Sequence, residues 1–181
     1  MMLFILSFLT GLLIKVVDII EDENLKIFSK LKYLFSIIYG FLLGYVIVSY
    51  PDIAPLWIGM ILGVLLTGKV DTLTHKLGVL TVAITLLVFS LFDFNILKIN
   101  FGLLFLFSLA SFTDEKVDVL LQKVKSKNIF HKLMDLRLFL EASALVTSII
   151  TGIWSIFFAI LMFDLAYKLT ELFFEKFVLK K

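Results

Sequence analysis

The sequence predicts an all-α polytopic transmembrane helical bundle with six or seven spans. Of the 181 residues, 61% are apolar and only 18% are charged, and the mean hydropathy is +1.07. A soluble domain of this length needs polar side chains over its whole surface, so this composition indicates that hydrocarbon is the surrounding solvent. The apolar residues are also grouped into stretches close to the roughly 20 residues that cross a bilayer, and lysines gather between alternate stretches.

Six stretches are long and apolar enough to be interpreted as spans. The third and fifth are short, which predicts tilting, local bilayer thinning or a helix that continues into the following loop. The N-terminal Met1–Phe4 segment has no basic residues and no cleavage site follows, so we expect a retained first helix within one transmembrane domain, 1–181. The spans are placed at 2–20, 32–50, 54–69, 77–93, 100–113 and 139–163.

The turn between the second and third spans is the most clearly marked one. Pro51 and Pro55 are the only prolines in the chain, and they enclose a three-residue segment that would form a tight hairpin. Two Gly-x-x-x-Gly pairs, Gly40/Gly44 and Gly59/Gly63, lie on either side of it. Such pairs allow close approach of helix backbones, although incidental glycines are the alternative.

Basic residues are distributed very unequally between the two faces of the bundle. We call side A the face where the first helix ends; the loops of the opposite face contain only Lys98. The positive-inside rule then predicts a multi-pass protein of the cell membrane with side A in the cytoplasm. The basic residues of side A are Lys15, Lys26, Lys30, Lys32, Lys69, Lys76, Lys116, Lys123, Lys125, Lys127, Lys132 and Arg137.

The C-terminal segment 164–181 leaves two alternatives open. Its four lysines would fall on the wrong face if 139–163 crossed the membrane once. Either the chain breaks near Gly152 and crosses again, or 164–181 lies on the far surface as an amphipathic helix. Residues 114–138, which mix charged and apolar positions at helical spacing, predict a further amphipathic helix on the surface of side A.

The loops of side A contain similar junctions, which we interpret as three helical-hairpin repeats, 1–50, 51–100 and 101–163. Chance similarity in a sequence of low diversity is the alternative. In each junction a lysine is followed closely by Val-Asp: Lys15 with Val17-Asp18, Lys69-Val70-Asp71 and Lys116-Val117-Asp118.

The junctions also place possible metal or proton ligands four residues apart, which is one face of a helix. The pairs are Asp18/Asp22, Asp71/His75 and Asp114/Asp118. If they converge, their oxygen ligands suit a hard cation, and the predicted cofactor is Mg²⁺. The alternative is that these are solvated helix ends whose acids pair with nearby lysines.

Candidate residues for binding an anionic substrate are the basic side chains near these acids. They are Lys69, Lys76, Lys132 and Arg137, together with Glu141, which is expected to pair with Arg137 four residues earlier. Asp164 is expected to end a helix.

In layout, these acidic pairs resemble two families of membrane transferases, the CDP-alcohol phosphatidyltransferases and the UbiA-type prenyltransferases. The resemblance implies carboxylates that hold a divalent metal on a pyrophosphate. The Asp-Gly-x-x-Ala-Arg element of the first family and the Asn-Asp-x-x-Asp-x-x-x-Asp element of the second are missing from the sequence. The chain is therefore assigned to neither family.

These observations favour a membrane-embedded, divalent-metal-dependent enzyme, a transferase acting on a phosphorylated or pyrophosphorylated lipid at the cytoplasmic face. One alternative is a small transporter or channel for a cation or small solute; another is a non-catalytic subunit of a membrane complex. The expected partners are the lipid bilayer, an anionic lipid, and a second copy or another subunit. Nucleic acid is not implied, and the absence of Cys excludes thiolate chemistry.

Overall fold

A computed structural model of the chain describes residues 1–23, 25, 30–92, 99–123 and 137–178. Within these ranges the chain forms seven α-helices and no strand, which confirms the predicted all-helical bundle. The helices are α1 (Met2–Asp22), α2 (Leu31–Ser49), α3 (Ala54–Thr67), α4 (Leu73–Phe92), α5 (Phe101–Lys123), α6 (Leu138–Thr151) and α7 (Trp154–Phe177).

Three of the described helices are long and apolar enough to cross a membrane. They are α1, α2 and α4, with hydropathies of 2.3, 1.8 and 1.9 over their most apolar windows, while α3 and α6 are shorter apolar helices. Large apolar side chains are also exposed along the outside of the bundle, for example Leu66, Phe105 and Ile150. A surface of this kind is expected of a protein surrounded by lipid.

Most helix boundaries lie close to the predicted spans, and the turn between α2 and α3 is as predicted. Pro51–Ile53 form one turn of 3-10 helix, and Pro55 lies in the first turn of α3, where its missing N–H has no cost. At the other end of α3, Gly68 adopts a left-handed conformation with φ of 75°.

The predicted amphipathic helix at 114–138 is only partly described. Residues 114–123 continue α5 without a break, so they are the C-terminal part of that helix and do not form a separate surface helix. Positions 124–136, including Lys132, lie outside the described residues. The short fifth span is thus the beginning of a longer helix, as one of the predicted alternatives required.

The interpretation of 139–163 as a single span is wrong, because the chain reverses at Gly152. Gly152 has φ of 75°, a backbone conformation that glycine adopts without strain. The Phe157 amide donates to Ser148 Oγ across the turn at 3.2 Å, and farther away Arg137 stacks over the Phe163 ring. Helices α6 and α7 are therefore antiparallel, and α7 ends on the side where α6 begins.

The closest helix pairs in the bundle are parallel and are not neighbours in sequence. Helix α1 packs on α7, α2 on α4, and α3 on α5. Along the first pair, Phe4 meets Phe158, Gly11 meets the Phe163 backbone, and Lys15 bonds Glu171. The described helices with odd numbers thus end at side A, and those with even numbers begin there.

The two Gly-x-x-x-Gly pairs lie at these contacts, as close approach requires. Gly40 faces the backbone of Gly78 in α4, and Gly63 faces Ser111 in α5. Each pair therefore contacts a parallel neighbour two helices further along the chain, and not the other side of its own hairpin. These close pairs join helices that belong to different proposed repeat units. The contacts therefore do not test the similarity between the units, and the repeat interpretation stays a prediction.

Candidate functional site

A partly enclosed cavity of about 230 Å³ lies among the ends of the helices at side A. Its polar lining comes from α1, α2, α4, α5 and α7 and from the segments before α4 and α6, while its floor is aliphatic and aromatic. The polar residues are Asp18, Tyr39, Lys69, His75, Glu115, Arg137 and Tyr167, and the apolar ones are Ile14, Leu43, Met60, Ile61, Val64, Val70, Val79, Val82 and Phe163.

Asp18 and His75 form a hydrogen-bonded pair in the wall of this cavity. His75 Nε2 lies 3.0 Å from Asp18 Oδ1, and the Tyr167 hydroxyl donates to Asp18 Oδ2 at 2.5 Å. The second ring nitrogen, Nδ1, is 3.4 Å from the Tyr39 hydroxyl. In the tautomer whose Nε2–H donates to Asp18, Nδ1 is the acceptor that faces the Tyr39 hydroxyl.

The packing of the helices explains why these four side chains meet. Asp18 is in the last turn of α1, and Tyr167 reaches it because α1 and α7 run parallel in close contact. Tyr39 and His75 come together through the equally close α2–α4 pair. Neighbouring hydrogen bonds connect the same helix ends. Lys32 and Thr74 donate to Glu21, and Lys15 and Lys168 donate to Glu171.

Arg137 also lines the cavity and lies immediately before α6. Its guanidinium stacks over the Phe163 and Tyr167 rings, at 5.1 and 5.6 Å from their centroids, and Nη1 contacts Met60 Sδ at 3.3 Å. About 23% of its side chain is accessible. Because Arg137 lines the cavity, this accessible part is what a bound anion would meet.

Two acids lie near Arg137, the half-buried Glu141 and the buried Asp164. Asp164 Oδ1 is 3.9 Å from Arg137 Nη1, and Asp164 is only 8% exposed. Glu141, in the first turn of α6, is near enough to Asp164 for the two charges to interact. The prediction that Asp164 ends a helix is wrong, because it lies inside α7 and balances the charge of Arg137.

Lys69 lies on the α3–α4 connection between two carboxylates of α5. Its Nζ is 2.6 Å from Glu115 Oε2 and 2.5 Å from Asp118 Oδ2. Burial by itself would lower the pKa of Lys69, but hydrogen bonds to the two acids raise it overall. Lys69 is therefore a firmly charged group at the rim of the cavity.

Asp114 has a structural role at the beginning of α6. Its two carboxylate oxygens accept hydrogen bonds from the amides of Phe139 and Leu140, at 2.9 and 2.8 Å. These are amides that the helix itself cannot satisfy. Burial raises the pKa of the Asp114 carboxyl group to about 6, against the opposing effect of the two amides and of Arg137.

The structure does not gather the six predicted metal ligands into one group. Asp18 and His75 meet, but Asp114 caps α6 and Asp118 binds Lys69, while Asp22 and Asp71 are exposed. Among the residues that the structure describes, no three His, Asp or Glu side chains are placed to hold a metal ion. The magnesium site stays a prediction from the sequence.

The predicted substrate-binding residues are divided in the same way. Lys69 and Arg137 line the cavity, whereas Lys76 is exposed on α4 and Lys132 is outside the described residues. Glu141 is half-buried near Asp164 and Arg137, and its role in substrate binding stays a prediction.

Four residues of the site were not recognised in the sequence: Tyr39, Glu115, Asp164 and Tyr167. Tyr39 lies in an otherwise apolar helix, where a hydroxyl group alone is a weak indication of function. A usable signal was present at Asp164, because an acid inside a long apolar helix needs a partner.

No protein-family model, curated protein or solved structure matches this chain. The fold and the site therefore define its class: a helical protein with three helices able to cross a membrane and a charged cavity at one end of the bundle.

Proposed function

We propose that this protein is a membrane-embedded enzyme that binds a phosphate-bearing lipid in the cavity of side A and transfers or hydrolyses its phosphate group. The observation that carries the proposal is the cavity itself, which places Arg137 and Lys69 above an apolar floor with a positioned histidine in its wall. An amphiphile matches this lining, since its phosphate would meet the two cations and its chain the floor.

Each polar side chain has a role in this proposal. Arg137 and Lys69 hold the phosphate oxygens and stabilise the negative charge that grows on them during transfer. His75 accepts the proton of the attacking water or hydroxyl group as its oxygen bonds to phosphorus, and returns that proton to the lipid oxygen that leaves when its P–O bond breaks. Asp18 fixes the tautomer that makes this possible. The Tyr167 hydroxyl holds Asp18 in place. Magnesium, if bound, would supply further charge neutralisation to the phosphate; no step is assigned to it.

Turnover gives a direct test of the role of His75. In detergent micelles, we expect His75→Gln to slow the release or transfer of phosphate from short-chain phosphatidic acid or a prenyl diphosphate by about 100-fold or more. Binding of the same lipid should change little. Phosphorus NMR would follow the reaction, and calorimetry the binding.

The matched control is Glu175→Gln, which neutralises an exposed side chain near the end of α7. It should behave as the parent protein does. Unchanged turnover in His75→Gln would remove the proposed base, and failure of every phosphate lipid to bind the parent protein would remove the proposed function.

We place side A in the cytoplasm of a multi-pass membrane protein. Support comes from the lysines of side A and from the reversal at Gly152, which returns the basic end of α7 to that side. Helices α1, α2 and α4 cross the bilayer, α3 and the first part of α5 cross with them, and the α6–α7 hairpin crosses twice. Helix α6 has 14 residues, about 21 Å at 1.5 Å per residue, so the bilayer must be thin there or the helix must end below its surface.

Single cysteines can test this topology, because the chain contains none. In intact cells, a membrane-impermeant maleimide should label Asp52→Cys and Thr151→Cys, both exposed positions of the opposite face, but should label Val178→Cys only after lysis. Labelling of position 178 in intact cells would contradict the orientation. Protection of position 151 alone would show that the α6–α7 hairpin enters the membrane without crossing it.

A further inference from the structure

The acid pair near Arg137 has an incomplete hydrogen-bonding arrangement. Asp164 Oδ2 is buried and has no hydrogen-bond donor among the described residues. Its neighbour is the carboxyl group of Glu141, which can donate only when it carries a proton. When both acids are ionised their charges repel, so a proton taken up by the pair would supply the hydrogen bond that Asp164 Oδ2 lacks and remove the repulsion.

Arg137 is the cation that allows this pair to be charged. It lies between the acids and the cavity, with Asp164 on one side and the cavity space on the other. The 3.9 Å separation from Asp164 Oδ1 is longer than a hydrogen bond. Among the described residues, the other contacts given for the guanidinium are the Phe163 and Tyr167 rings and the Met60 sulfur. The guanidinium therefore keeps donors for an anion in the cavity.

We propose that an anion bound at Arg137 competes with Asp164 for the guanidinium, so that binding of a phosphate ligand is coupled to uptake of a proton by the Glu141–Asp164 pair. This inference rests on the proposed function, because it concerns the same cavity and the same ligand class. The bound anion adds a second negative charge beside Arg137, which makes ionisation of the two acids less favourable. Uptake of a proton by the acids compensates for the added charge. By linkage, the proton must in turn strengthen binding of the anion.

Other charged groups surround the pair and must be separated from it in any test. Asp114 on α5 faces Asp164, and Asp18 on α1 faces Arg137. His75, Lys69 and Glu115 line the cavity itself. The test must therefore use a ligand whose own charge is constant and a variant that alters only the acid pair.

The probe is short-chain phosphatidylglycerol, a phosphodiester that stays a monoanion across the useful pH range. Its affinity for the purified full-length protein should fall as the pH rises, by up to about 10-fold for each pH unit, which is the limit for uptake of one proton. Calorimetry in buffers of different ionisation enthalpy should show uptake of up to one proton per bound lipid. Dimethyl phosphate, which lacks acyl chains, should bind more weakly with the same proton uptake.

The decisive variant is Asp164→Asn, which should lose the proton uptake of the acid pair and keep only the pH dependence that His75 and the other cavity groups give. Glu141→Gln should reduce the proton uptake in the same way, whereas the exposed control Glu175→Gln should keep it. The measurement on the parent protein does not depend on whether these variants fold. Binding without proton uptake, or proton uptake in Asp164→Asn equal to that of the parent protein, would overturn the coupling and leave the proposed function intact. Absence of lipid binding at every pH would reject both.

Discussion

Replacing Arg137 with methionine is expected to lower the free energy of unfolding by about 3–5 kcal/mol, the usual cost of removing one partner from a buried charge pair. Methionine fills a similar volume beside Phe163 and Met60, so the loss comes mainly from the charge. Without Arg137, Asp164 is left buried near Glu141 with no cation to balance it. Titration with a denaturing detergent, followed by circular dichroism, would measure the change.

The pattern of rescue separates charge from packing. The double variant Arg137→Met/Asp164→Leu should recover most of the loss, because it removes both buried charges and keeps the side chains apolar. The single variant should also be less damaging at about pH 5 than at about pH 8, since a protonated acid needs no counter-charge. Lys76→Met, at an exposed position of α4, is the control and should change the stability by less than about 0.5 kcal/mol. A neutral effect of Arg137→Met at high pH would show that the acid pair does not need Arg137.

The helices were predictable from the sequence because their signals are local. The prolines at 51 and 55 mark the turn before α3, and apolar stretches mark most helices within a few residues. The reversal at Gly152 was visible only as one of two alternatives, since a single glycine in an apolar stretch is also compatible with a continuous helix. The left-handed conformation of Gly152 distinguishes them.

The partners of the acidic residues could not be predicted in the same way. A spacing of four residues places Asp114 and Asp118 on one helix face, but it does not say what that face contacts. In the fold, Asp114 meets the amides of α6 and Asp118 meets Lys69, while Asp18 finds His75 on α4. These contacts depend on which helices lie side by side, and the closest pairs in this bundle are separated in sequence by at least one other helix.

Gly11→Ala should lower the free energy of unfolding by about 1–3 kcal/mol, the range for forcing an extra carbon into a filled space. A Cβ at this position would overlap the backbone carbonyl of Phe163, which cannot move as the tip of a side chain can. In an open helix the same substitution would stabilise by about 1 kcal/mol. The sign of the change therefore tests the close packing of α1 on α7. Gly102→Ala, in the first turn of α5, meets only Asn100 Oδ1 at 3.3 Å and is expected to be neutral or stabilising.

The same substitution should also weaken lipid binding at side A, although Gly11 does not line the cavity. Because α1 and α7 run parallel in contact, a methyl group at Gly11 would push the two helices apart. Asp18, which lies two helical turns closer to side A than Gly11, would be pulled away from Tyr167. His75 would then lose its fixed partner together with Asp18. A destabilised Gly11→Ala protein that binds and turns over lipid as the parent does would show that the α1–α7 contact supports the fold without positioning the site.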